Sequence, residues 1–155
     1  MQLSEELKLP PIEIYCDGSS HARRGKPGGW GYVIVYKGRE IARGSGSLEQ
    51  CTNNTAELTA AIEGLLHVAE VLNDSDVNLF SRPIKLISDS MYVVNAANRT
   101  NIAVKNKEMV QNLQDLCVAY SVVAEWVKGH NGHEWNTLAD KLATEAKNSF
   151  LVSQN

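Results

Sequence analysis

Apolar and polar residues alternate near the start of the chain. Ile12, Ile14 and Cys16 alternate with Glu13, Tyr15 and Asp17, a period-two pattern that predicts a strand ending on an acid. Residues 18–31 are rich in Gly and Ser and contain Pro27-Gly28-Gly29, which predicts a turn or loop. Val, Ile and aromatic residues over 30–36 predict a second strand, Lys37-Gly38 a tight turn, and 39–48 a third strand. Three strands joined by short links predict an antiparallel meander.

The period then changes. Leu58, Ala61, Ile62, Leu65, Leu66, Ala69 and Leu72 recur at helical spacing and predict a long amphipathic helix. After a polar stretch over 73–82, residues 84–88 form a short apolar run that predicts a fourth strand, ending at Asp89. Tyr92, Val93 and Ala96 predict a short helix, and 106–120 a longer one with Met109, Val110, Leu113, Leu116 and Cys117 on its apolar side. A fifth strand is expected over 122–127 and a last helix over 134–149. The order βββ-α-β-α-α-β-α implies an α/β fold. Its five-stranded mixed sheet has three antiparallel strands, then two that alternate with helices, with helices packed on it. The domain is expected over 12–149, between a tail over 1–11 that ends in Pro10-Pro11 and a tail over 150–155.

Length agrees with one domain, since 155 residues suffice for a substantial core. With 43% hydrophobic and 21% charged residues, the composition excludes collagen-like and fully disordered chains. No run approaches 18 apolar residues and residues 1–11 contain no apolar leader segment, so the expectation is a cytoplasmic protein without membrane contact. Cys16, Cys51 and Cys117 are too few and too scattered for a disulfide framework or a structural zinc site. The net charge of −3 gives no bulk basic footprint for nucleic acid. Two divalent ions, however, would turn −3 into +1.

Four acids occupy suggestive positions. Asp17 and Asp89 end strands, Glu57 opens the long helix and Asp140 lies in the last one. Strand ends in α/β sheets are where sites gather. If the four converge, they make an oxygen-rich pocket suited to Mg²⁺ or Mn²⁺. Each acid also has a plainer reading: Asn54-x-x-Glu57 resembles a helix cap, Asp17-Gly18 an Asx turn, Asp89-Ser90 a cap for the next helix, and Asp140 a solvated helix residue.

Motifs over most of the chain narrow these alternatives. They are Ile14-Tyr15-Cys16-Asp17-Gly18-Ser19, Thr52-Asn53-Asn54-Thr55-Ala56-Glu57-Leu58, Ser88-Asp89-Ser90-Met91-Tyr92-Val93 and Trp126-Val127-Lys128-Gly129-His130-Asn131-Gly132-His133, followed by Asn136 with Asp140 and Leu142-Ala143. In this order the chain resembles ribonuclease H type I, from about Ile12 to Ala146. The resemblance implies an endonuclease that cleaves the RNA strand of RNA–DNA hybrids by two-metal-ion catalysis and leaves 5′-phosphate and 3′-hydroxyl ends. It implies two Mg²⁺ ions, replaceable by Mn²⁺, held by Asp17, Glu57, Asp89 and Asp140. His130 would be a mobile histidine that handles protons and aids product release. A zinc pair of His130 and His133 is the alternative, with no cysteine nearby to complete it.

Substrate contacts transfer in the same way. Asn53 and Asn54 match minor-groove residues, Thr52 and Asn106 a pocket for a phosphate of the DNA strand, and Gly18, Ser19 and Lys26 fall with the substrate contacts. Arg23, Arg24 and Lys26 could meet hybrid backbone or simply face water. Three departures weaken substrate grip. Gln50 stands where an arginine is usual, Met91 where a glutamine is frequent, and residues 95–107 lack the basic, Trp-rich protrusion of well-known members. A catalytically weak or partner-dependent hybrid-binding module is therefore the competing reading; no oligomer is indicated and a monomer is expected. Trp30 and Trp126 are expected in the core, and Trp135 is expected to pack the His130 loop.

Overall fold

The computed structural model describes residues 10–21, 26–73, 82–99, 105–129 and 133–153. The elements are β1 (Ile12–Ser20), β2 (Lys26–Tyr36), β3 (Arg39–Cys51), α1 (Asn53–Asn73), β4 (Ile84–Ser88), α2 (Met91–Asn98), α3 (Lys107–Ala119), β5 (Val122–Trp126) and α4 (Glu134–Ser153). The five strands form one sheet in the order β3-β2-β1-β4-β5. The first three pair antiparallel, while β1–β4 and β4–β5 are parallel. This is the mixed sheet that the alternation pattern predicts.

Two apolar clusters sandwich the sheet. Ile12, Ile14 and Cys16 of β1 join Leu58, Ala61, Leu65 and Val68 of α1, Val93 of α2 and Leu113 of α3. Tyr15 of β1, with Val33, Val35 and Ile87, meets Ala139 of α4. Strand alternation accounts for the split: successive β1 side chains point to opposite faces. Within the α1 stripe, Leu66 is exposed. It sits about 100° around the helix from Leu65 and misses the sheet.

Boundaries and one burial differ from expectation, and the third strand runs on to Cys51. The Gly- and Ser-rich stretch over 18–31 is mostly strand, with Ser19 paired to Gly29 and Ser20 to Gly28. Turn-forming composition yields here to the ladder, because extended backbone pairing asks nothing of a side chain. Of this stretch, residues 22–25, with Arg23 and Arg24, lie outside the described residues. The last helix runs on to Ser153, so 150–153 are not tail. Trp126 is 46% exposed rather than buried; it ends β5, the edge strand of the sheet. Trp30 packs, partly buried, against the larger cluster and stacks on Tyr32, and Trp135 packs against the α4-side cluster. No helix among the described residues is long and apolar enough to cross a membrane.

Candidate active site

The acids meet where β1 and β4 run side by side. The parallel register pairs Cys16 with Ser88, so Asp17 and Asp89 are the next residues on neighbouring chains. Each follows, by two positions, a residue of the α4-side cluster: Tyr15 precedes Asp17 and Ile87 precedes Asp89. Both acids thus emerge toward α4, which carries Asp140 just after the buried Ala139.

Glu57 arrives from the opposite face of the sheet. α1 begins at Asn53, so Glu57 lies beyond its first turn and is not a capping residue. Thr52 and Thr55 perform that task reciprocally. The Thr55 N–H donates to Thr52 Oγ1 at 3.1 Å, and the Thr52 N–H donates to Thr55 Oγ1 at 2.9 Å. The start of α1 then closes on the end of β1. A β-carbon at Gly18 would lie 2.5 Å from the Glu57 nitrogen, so only glycine admits this approach. The Gly18 N–H in turn donates to the Glu57 carboxylate.

The outcome is a tight group. One carboxylate oxygen each from Asp17, Glu57 and Asp89 lies within 4.8 Å of the others. Asp17 and Glu57 are both buried, at 4% exposure. Asp140 is close enough to hydrogen bond with Asp17 and to act electrostatically on Glu57. Burial, first, and then the charges of its neighbours push Asp17 far above the ordinary carboxylate range. Burial also raises Glu57, to about 7, although hydrogen bonds from Asp17 and Gly18 oppose the rise. Without a cation, a proton therefore sits between these two acids at neutral pH.

A hard divalent cation fits this donor set. Glu57 Oε2 is buried and has no hydrogen-bond partner. A buried, unsatisfied carboxylate oxygen is costly unless charge or a donor meets it, and oxygen-only ligands suit Mg²⁺ and Mn²⁺.

A ribonuclease H family model, described as "RNase H", matches residues 10–148. The chain belongs to the RNase H family. Its relatives include Ribonuclease H of Erythrobacter litoralis, 35% identical over 89% of this chain and 96% of that protein. Ribonuclease HI of Helicobacter pylori is 39% identical over 87% of this chain and 92% of its own. Among solved structures, RNase H1 of Halobacterium salinarum is similar with a TM-score of 0.74 at 25% identity, over 90% of this chain and 98% of that one. LC11-RNase H1, solved in complex with an RNA/DNA hybrid, shares the fold with a TM-score of 0.77 at 24% identity, covering 90% and 99%. The chain is thus a ribonuclease H enzyme of a metal-dependent family, with an acidic cluster in place.

The remaining expected site residues have varied surroundings. Asn53 and Asn54 are exposed on the first turn of α1. The Thr52 hydroxyl is engaged in the cap. The Asn106 amide donates to Tyr92 Oη at 3.2 Å, and its backbone is left-handed at the start of α3. Ser19 pairs with Gly29 in the β1–β2 ladder, while exposed Lys26 begins β2 and pairs with Cys51 of β3. His130 lies outside the described residues. His133 stacks at a tilt on Tyr15, 5.1 Å between centroids, which ties the start of α4 to β1. Met91 and Gln50 are exposed, and residues 100–104, within the stretch expected to lack a basic protrusion, lie outside the described residues.

Two residues beside the cluster escape sequence reasoning. Trp126 Nε1 donates to the Asp89 carbonyl at 3.0 Å, and Gly129 lies against the Asp89 carboxylate. Strand alternation assigns Trp126 to the core, so its own pattern conceals the role.

Proposed function

We propose that this enzyme hydrolyses the RNA strand of RNA–DNA hybrids at the Asp17–Glu57–Asp89–Asp140 cluster, with Mg²⁺ or Mn²⁺ and with 5′-phosphate and 3′-hydroxyl ends. The supporting observation is the convergence of three carboxylates within 4.8 Å, one of their buried oxygens lacking any partner, in an RNase H chain. Asp17, Glu57, Asp89 and Asp140 would hold the cations. Two such ions, when bound, supply an activated water and charge stabilisation at the leaving oxygen. The chain's own part is to fix these acids on both sides of the β1 end and to release the proton between Asp17 and Glu57 as cations enter. Mg²⁺ is the physiological candidate, since carboxylate and water are its preferred ligands.

Hybrid recognition follows from side chains near the cluster. Asn53 and Asn54 offer donors and acceptors to ribose 2′-hydroxyls, the group that distinguishes RNA from DNA. Gly18, Ser19 and Lys26 border the scissile strand. Thr52 and Asn106 take a phosphate of the DNA strand, with Gln50 contributing no charge. His130 handles a proton at the leaving group or during product release. LC11-RNase H1, of the same fold, was solved with a hybrid bound.

The test is cleavage of an end-labelled 12-base-pair RNA–DNA hybrid in Mg²⁺, Mn²⁺ or EDTA, beside duplex DNA, duplex RNA and single strands. Metal-dependent cuts confined to the RNA of the hybrid are expected. Hybrid binding without cleavage in either metal would favour the binding-module reading, which the neutral Gln50 otherwise supports.

A further inference from the structure

Beyond β5 the chain runs from Trp126 through Val127 and Lys128 to Gly129; two hydrogen bonds tie this short segment to residues 88–89, and Gly129 approaches Asp89 closely. The Trp126 indole N–H donates to the Asp89 carbonyl at 3.0 Å. The Val127 N–H donates to the Ser88 carbonyl at 3.0 Å. On the other side, a β-carbon on Gly129 would stand 2.7 Å from Asp89 Oδ2, so its absence leaves the carboxylate room. Apolar burial does not account for Trp126, which keeps nearly half its surface exposed while committing its only polar group to one carbonyl.

Asp89 follows the last residue of β4, just past the final β4–β5 register pair, Ser88 with Trp126. Its carbonyl and its side chain share one Cα. Fixing the carbonyl therefore fixes the direction of Cβ, and a clear space at residue 129 decides where the carboxylate can turn. Small displacements of a metal ligand cost affinity steeply, which is why outer partners of ligands matter.

We infer that Trp126 and Gly129 are positioning residues for Asp89: the indole N–H anchors its main chain, and the missing β-carbon admits its carboxylate in the orientation that faces Asp17 and Glu57. The inference rests on the reading of that cluster as a cation site.

The test uses the whole chain, free of nucleic acid, titrated with Mn²⁺ by calorimetry. Trp126→Phe keeps a ring and removes the donor. Its Mn²⁺ dissociation constant is expected to rise about tenfold, the lower end of the loss typical for an outer partner of a ligand. Gly129→Ala should weaken Mn²⁺ binding in the same direction with the indole intact. Both variants should melt in EDTA within a few degrees of the parent. In cleavage assays kcat at limiting Mn²⁺ should fall and recover at high Mn²⁺, with KM for hybrid unchanged. Wild-type Mn²⁺ affinity in both folded variants would overturn the inference and leave the metal site standing. An affinity loss that vanishes once corrected for the folded fraction would also overturn it. A parent protein that binds no Mn²⁺ would overturn both.

Discussion

Replacing Asp17 by Asn removes the most strongly perturbed carboxyl of the site without changing its shape. In an unfolded chain an aspartate titrates near pH 3.9. In the folded, cation-free protein, burial and the neighbouring acids hold the Asp17 proton well past neutrality. Keeping it costs about 1.4 kcal/mol for each pH unit, or about 4 kcal/mol between pH 3.9 and pH 7. Asn carries no proton to retain and can still donate to Glu57. Allowing for imperfect replacement of the acid's hydrogen bonds, Asp17→Asn should stabilise the cation-free protein by about 2–4 kcal/mol at pH 7. In a domain of this size that raises Tm by about 5–15 °C. Thermal or urea melts in EDTA at pH 7 and pH 4 measure it. The pH dependence has a definite sign. A carboxyl whose folded pKa is raised contributes stability below its unfolded pKa and loses it as pH rises, so the gain should shrink toward zero at pH 4. A less stable variant at pH 7, or a gain equal at both pH values, would refute the reasoning and assign Asp17 a structural role.

Asp89→Asn should reduce cleavage of the hybrid by about a thousandfold or more, with unchanged circular dichroism, because several kcal/mol of transition-state stabilisation depends on intact cation ligation. In EDTA the parent protein should lose stability from pH 5 to pH 8, since Glu57 is pushed up to about 7 and Asp17 higher. Excess Mn²⁺ should flatten that slope in the same melts, because the cation displaces the retained protons. Thr52→Ala should cost about 1 kcal/mol in urea unfolding, since the α1 cap loses its side-chain acceptor.

The architecture was legible because its signals are periodic. The alternation in β1 and the Leu58-Ala61-Leu65 stripe report which side of the sheet each residue faces, and the structure repeats that division. Asp17 and Asp89 were legible from strand ends and Glu57 from a helix start, while Asp140, within the last helix, had no such mark. Their convergence was not, because register alone brings Asp17 beside Asp89 across some seventy residues of sequence. Glu57 looked like part of a cap, and only the reciprocal Thr52–Thr55 bonds show that it is released from that task. Trp126 escapes the pattern for a related reason: alternation reports which face a side chain takes, not that it ends an edge strand and stays half exposed.

The acidic group takes its members from both faces of the sheet, with Asp17 near the beginning of the chain and Asp140 in its final helix. On the ribosome, the segments emerge in that order. Asp17 and Glu57 are made before β4 exists to carry Asp89, and Asp140 follows last. The full acidic group therefore cannot form until the segment that carries Asp140 is made. A product cut short before α4 lacks Asp140 and cannot assemble the full acidic group.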